Sequence, residues 1–200
     1  MYKRQVEDLS RQALREQFEV NVFGTHELTR RVIPAMLAAG EGRIIQNSSV
    51  LGLVAMPFRG AYNASKFALE GLSDTLRMEL AGTGVHVVLI EPGPVLSRFR
   101  VNALAAFRRH VEPAGSRHEE TYARLEEKLT KEGAVVPFTL PPEAVFEKVV
   151  RALESRRPRA RYPVTVPAVA LSWLRRLLPV RWLDAIASSE GGAARGSRQV

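Results

Sequence analysis

The chain contains no cysteine. Disulfides and thiolate metal sites are therefore excluded, and the composition fits a cytoplasmic setting. Histidine is scarce: His26, His86, His110 and His118 show no metal-ligand spacing, so no metal site is expected. The first residues, "MYKRQVEDLSRQ", lack the apolar core of a signal peptide. No long uncharged apolar run occurs either. The best one, residues 167–186, is interrupted by Arg175, Arg176 and Arg181, which argues against a spanning helix. Excess positive charge is also absent from most of the chain. The net charge is +8, but residues 151–200 hold ten arginines against Glu154, Asp184 and Glu190, which supplies +7 of it. A basic tail on a near-neutral body is not a basic domain, and no nucleic-acid partner is expected.

What is present is the hydrophobic patterning of one soluble domain. Residues 9–39 carry apolar positions at helical spacing in two offset stripes: Leu14, Phe18 and Val22, then Leu28, Val32 and Met36. The change of register falls at "NVFG", residues 21–24, and predicts a kink there. Gly40 and Gly42 stop the helix. "RIIQN", 43–47, reads as a short strand and 61–80 as a second helix. "VHVVLI", 85–90, is a continuous apolar run that suits a strand buried on both faces of a parallel sheet. Residues 91–95 form a turn. The arginine-rich stretch 96–118 reads as irregular. Residues 119–132 read as a helix with Tyr122, Leu125 and Leu129 on one face, 141–155 as another helix, and 162–166 as a last strand. Residues 189–200 are expected to be a disordered tail. Helix, strand, helix, strand in that order predicts an α/β fold of parallel βαβ units with right-handed crossovers.

The chemistry concentrates in "SSVLGLVAMPFRGAYNASKFAL", residues 48–69. Tyr62 and Lys66 stand one helical turn apart and share a face. A phenol titrates near 10, too high for acid/base work at neutral pH. An ammonium about 4 Å away contributes roughly 4 kcal/mol at an effective dielectric near 20, while burial works against ionisation. Ser49 lies at a strand end, where open α/β sheets place their ligands.

These elements resemble the short-chain dehydrogenase/reductase family. That family carries an asparagine in an N-x-x-G helix, a serine at a strand end, a Tyr-x-x-x-Lys pair, and a strand closing in a Pro-Gly turn. Here they are Asn21 in "NVFG", Ser49 in "NSSVLG", Tyr62 and Lys66 in "YNASK", and Pro92-Gly93 in "IEPGPVLS". The resemblance covers roughly residues 8–100, more loosely to 166, and implies a partial Rossmann-like, doubly wound parallel sheet with helices on both faces. It implies an NAD- or NADP-dependent oxidoreductase that interconverts an alcohol and a ketone or aldehyde. Tyr62 would exchange the proton with the substrate oxygen. Lys66 would lower the Tyr62 pKa and bond the nicotinamide ribose. Ser49 would orient the substrate oxygen, and Asn21 would hold a water linking Lys66 to solvent. Pro92, Gly93 and Val95 would lie against the nicotinamide, and Ser97 stands where the family usually has a carboxamide-bonding threonine. Leu96 and Phe99, with Val101, Leu104 and Phe107, would line a lipophilic substrate pocket. A non-catalytic binding or scaffold protein on the same fold is the alternative.

The family's opening strand, its glycine-rich pyrophosphate turn and its N-A-G element have no counterpart here. The chain would then supply only strands 5–7 of the family sheet, leaving "RIIQN" as an open edge. It is expected to be a truncated gene product, poorly soluble and inactive alone, and a homo-oligomer when full length. Residues 1–5 match the translation of a transposon end used in sequencing libraries and read as adapter. Residues 167–188, apolar and basic, suit a helix that serves as a lid over the substrate pocket or as an oligomer contact. Trp173, Trp182 and the arginines also allow peripheral contact with a membrane surface through 167–186.

Overall fold

A computed structural model describes residues 5–110, 116, 118–131, 133 and 136–191. The first helix, α1 (Arg11–Phe18), starts where the Ser10 hydroxyl accepts the Ala13 N–H at 3.2 Å. It does not run straight into α2 (Thr25–Ala39). A π-helical turn, Glu19–Gly24, separates them. The register change read in the sequence is therefore one wide turn, a device that concentrates at functional sites. Gly40, in the left-handed region at φ 71°, ends α2.

Three strands form one parallel sheet in the order β1 (Gly42–Asn47), β2 (Val85–Glu91), β3 (Arg161–Pro163). β2 is central and buried along nearly all of its length, as its uninterrupted apolar run requires. One sheet face packs Ile44, Val85 and Val87 against Ile33 and Met36 of α2 and Leu76 of α3 (Gly60–Glu79). The opposite face packs Val88, Ile90 and Tyr162 against Ala152, Val145 and Val149 of α6 (Glu143–Glu154). Helices thus cover both faces, the doubly wound arrangement.

Three expectations need correction. Residues 99–110 are not irregular but a helix, α4 (Phe99–His110), whose Ala103 and Phe107 pack on Tyr122 and Leu129 of α5 (Glu119–Thr130). The last strand is shorter and earlier than 162–166. The C-terminal apolar segment is two helices, α7 (Val166–Leu177) and α8 (Val180–Gly191), parted at Leu178–Pro179, where the proline ends the first. α8 takes the first residues of the expected disordered tail. The rest of that tail, and residues 1–4 of the adapter reading, lie outside the described residues. No helix among the described residues is long and apolar enough to cross a membrane.

Candidate active site

The C-terminal ends of β1 and β2 lie side by side, and Ser49 is fastened between them. Ser48 N–H bonds the Ile90 carbonyl at 2.8 Å, and Val50 N–H bonds the Pro92 carbonyl at 3.0 Å. Ser49 is extended and caps the short 3₁₀ turn Val50–Gly52, its oxygen accepting the Leu51 N–H at 3.1 Å. Its hydroxyl donates to the Pro92 carbonyl at 3.4 Å. That bond is long and weak, so the proton is easily diverted to a better acceptor.

α3 brings Tyr62 and Lys66 to this point on one face. The Tyr62 ring packs on the cluster formed by Val50, Leu51, Leu53 and Val54 with Ala168 and Leu171 of α7 and Ala187 of α8. Burial, the largest influence, pushes the phenol above its ordinary value, while the Ser49 hydroxyl and the Arg59 charge pull it down. Lys66 does not dominate, as the spacing alone implied. Its Nζ lies over the ring, 5.8 Å from the centroid, and donates at 2.7 Å to the Asn47 carbonyl at the end of β1. Burial lowers the Lys66 pKa to about 8, and Glu70 opposes that shift.

Asn21 sits in the π turn, which faces α3. Its side-chain amide donates to the Ser65 hydroxyl at 3.0 Å, and Ser65 donates to the Tyr62 carbonyl at 2.9 Å. Asn21 thus braces the Tyr62 turn of α3, and its side-chain bond goes to Ser65 rather than to Lys66.

The segment after β2 holds the remaining candidates. A Cβ on Gly93 would come within 2.1 Å of the Thr165 hydroxyl oxygen, so glycine is demanded there by packing. Thr165 is buried and caps α7 through the Ala168 N–H at 3.3 Å. Val95 forms a parallel bridge with Leu140. The Ser97 oxygen accepts the Phe99 N–H at 3.3 Å and starts α4. Leu96 and Phe99 are exposed, and the Phe99 ring meets the Tyr62 ring edge-on with centroids 5.6 Å apart.

With this geometry in place, comparison with known proteins is direct. The family model described as short chain dehydrogenase matches residues 2–106. The chain belongs to the short chain dehydrogenase family. It is similar to the Escherichia coli protein named Uncharacterized oxidoreductase YbbO, at 46% identity over 178 residues, 89% of this chain and 60% of that protein. It is similar to 17-beta-hydroxysteroid dehydrogenase type 1 of Homo sapiens, at 35% identity over 161 residues, 80% of this chain and 48% of that protein. A short chain dehydrogenase/reductase from Burkholderia phymatum, solved in complex with NAD, superposes with a TM-score of 0.69 at 25% identity, covering 88% of this chain and 62% of that one. The chain therefore spans less than two thirds of these relatives.

Two features of this dehydrogenase-family chain were not anticipated. One is the edge-on contact that makes Phe99 a neighbour of Tyr62. The other is a buried charge cluster one turn beyond Lys66. Arg161 of β3 donates to Glu70, to Glu91 at 2.6 Å and to Asp74 at 2.5 Å, and Arg77 bonds Asp74 at 2.8 Å. Glu70 and Glu91 are only 5% and 1% exposed. Glu91 stands beside Pro92 in the quoted motif, but nothing in local sequence links it to residues 70 and 161.

The nicotinamide end of a dinucleotide fits this site. The Tyr62 hydroxyl and Lys66 ammonium are donors suited to a ribose diol, and Ser97 supplies an exposed hydroxyl further along the rim. The sequence contains no glycine-rich turn for the pyrophosphate.

Proposed function

We propose that the chain carries the proton-transfer and substrate end of an NAD- or NADP-dependent oxidoreductase that interconverts an alcohol and a carbonyl compound. The observation that supports it is the Tyr62 phenol. It is half-buried beside the Ser49 hydroxyl at the strand ends, with Phe99 on its ring and Lys66 over its face. There a nicotinamide would supply the chemistry of hydride transfer to or from the substrate carbon.

The chain's own residues handle the proton and the oxygen. In reduction, the Tyr62 Oη–H bond breaks and its proton joins the substrate oxygen as the C=O double bond becomes a single bond. In oxidation, the proton returns to Tyr62. Burial raises the Tyr62 pKa and opposes release of the proton, while the Ser49 hydroxyl and the Arg59 charge favour it. The Lys66 cation over the ring stabilises the phenolate left behind. Ser49 gives up its weak bond to Pro92 and donates to the substrate oxygen instead. Asn21, through Ser65, holds the Tyr62 turn in place.

A bulky lipophilic alcohol or ketone is the substrate class we favour. Leu96 and Phe99 present apolar surface beside Tyr62, and the similar human protein is named for a hydroxysteroid.

The test is turnover of a panel of lipophilic ketones by the protein with NADH and NADPH. Tyr62→Phe should lower turnover by about 10²–10⁴-fold and leave dinucleotide binding, read by fluorescence titration, unchanged. Turnover that survives the substitution overturns the assignment.

A further inference from the structure

α7 is apolar on two opposite sides. Its inward side places Ala168 and Leu171 in the core beside the 50–54 turn. Its outward side carries Val166, Val169, Trp173 and Leu177, which are 64%, 41%, 59% and 73% exposed. Their spacings of three, four and four residues put them on one stripe. Val180 and Trp182 continue the exposed apolar surface onto α8. A contiguous patch of this kind marks an interaction site.

Cations outnumber acids beside it, and the two carboxylates of the neighbouring cleft, Asp74 and Glu91, are already bonded to Arg161. A cleft of about 890 Å³ lies between α6, the β3 edge and α7. Lys148, Arg151, Arg157 and Arg159 line it, and none has an acidic partner among the described residues. The Arg176 guanidinium stacks over the Trp173 ring at 5.8 Å, so a cation sits at the rim of the stripe. A second copy of the chain would bring the same excess of arginine against itself. A nucleic acid would use the charge but not the valine, leucine and tryptophan stripe. An anionic phospholipid surface matches both halves: the acyl boundary takes the apolar side chains and the headgroups take the cations.

We propose that the outer face of α7, continued by the start of α8, docks on anionic membrane surfaces, with the arginine-lined cleft receiving headgroup phosphates. The helix lies in the headgroup plane and spans nothing. Its two faces reconcile the two readings of residues 167–188, because the inner face covers the Tyr62 cluster while the outer face meets lipid. This proposal does not depend on the catalytic reading.

The experiment is flotation of the full chain on a density gradient with phosphatidylcholine vesicles, with and without about 30% phosphatidylglycerol. Flotation separates bound protein from aggregated protein. The chain should float with the anionic vesicles only, tryptophan emission should shift to the blue, and added salt should weaken binding. Trp173→Ser with Leu177→Ser should reduce binding at least about tenfold. Both positions are solvent-facing, so the melting curve should not move. Arg157→Gln with Arg159→Gln should reduce it by about fivefold per charge. Equal flotation with neutral vesicles, no flotation, or flotation unaffected by the serine pair overturns the proposal. Concentration-dependent self-association that the serine pair abolishes, without flotation, assigns the face to a second copy instead.

Discussion

The two halves of α3 each turn charged groups toward the interior and treat them oppositely. In the first half Lys66 is a buried cation that donates to a backbone carbonyl, and its pKa is pulled down to about 8. In the second half Glu70 and Asp74 share one guanidinium, Arg161, with Glu91. Buried charge without a matched counter-charge is expensive, and proteins keep it where it does chemistry. Buried charge that shares a counter-charge holds elements together, here α3, β2 and β3. The same helix thus supplies a reactive turn and a structural one.

The largest effect should come from breaking the structural half. Arg161→Met leaves two almost wholly buried carboxylates without their partner and should cost about 3–5 kcal/mol in urea unfolding. Adding Glu70→Gln and Glu91→Gln should restore most of that loss, because the cost lies in unpaired charge. A loss below about 1 kcal/mol for Arg161→Met would mean that the cluster is not a structural unit.

The reactive half should respond with the opposite sign. The Lys66 pKa is lowered in the folded chain from 10.5 to about 8. Between these values the unfolded chain keeps the proton that the folded chain has lost, so stability rises with pH across that window. Below about pH 8 both states are charged and the full desolvation cost applies. Lys66→Met should therefore raise stability at pH 7 by up to about 3 kcal/mol, abolish the slope between pH 8 and 10.5, and destroy turnover. Unfolding measured at several pH values checks this, and an unchanged slope in the variant sinks it.

Gly93 tests where the boundary between site and scaffold falls. If its packing on Thr165 is what demands glycine, Gly93→Ala should destabilise by roughly 1–3 kcal/mol, because a buried, helix-capping side chain must move. If approach to the nicotinamide is the stronger demand, stability should hold and dinucleotide affinity should fall. Calorimetric melting and fluorescence titration on one preparation separate the two.

The same contrast explains what could be read from sequence. Ser49, Tyr62 and Lys66 were legible because their spacing is local: one strand end and one helical turn bring them together. The kink at residues 21–24 was legible as a change in apolar register, although nothing in it specified a π turn. α4 was missed because its arginines were read as loop composition. Arginine, alanine and leucine are good helix formers, and Ala103 with Phe107 already carried the spacing. The Glu70–Glu91–Arg161 cluster was illegible because strand order, not local pattern, sets these residues side by side across 70 and 91 positions. The dominance of burial over Lys66 at the Tyr62 hydroxyl likewise depends on α7 and α8 closing over the ring.

The smallest effect probes the edge of the cluster. Asp74 is about one-third exposed on its side chain. Burial pushes its carboxyl up, but hydrogen bonds from Arg77 and Arg161 outweigh burial and hold it below its ordinary 3.8. A depressed carboxylate adds stability above its unfolded value and loses it as pH falls through the folded one. Glu91 behaves in reverse. Burial, its largest influence, holds it above 4.5, so its contribution is present at low pH and fades as pH rises through the raised value. Asp74→Asn should therefore cost less than about 1 kcal/mol at pH 7, discounted for solvent screening, and nothing once Asp74 is protonated in both states. Glu91→Gln should weaken the chain least near neutrality, where its charged form is the one burial disfavours. Urea midpoints for both variants at pH 3 and pH 7 give the two signs directly. Equal trends with pH would mean that Arg161 neutralises the three carboxylates as one shared charge rather than each by its own exposure.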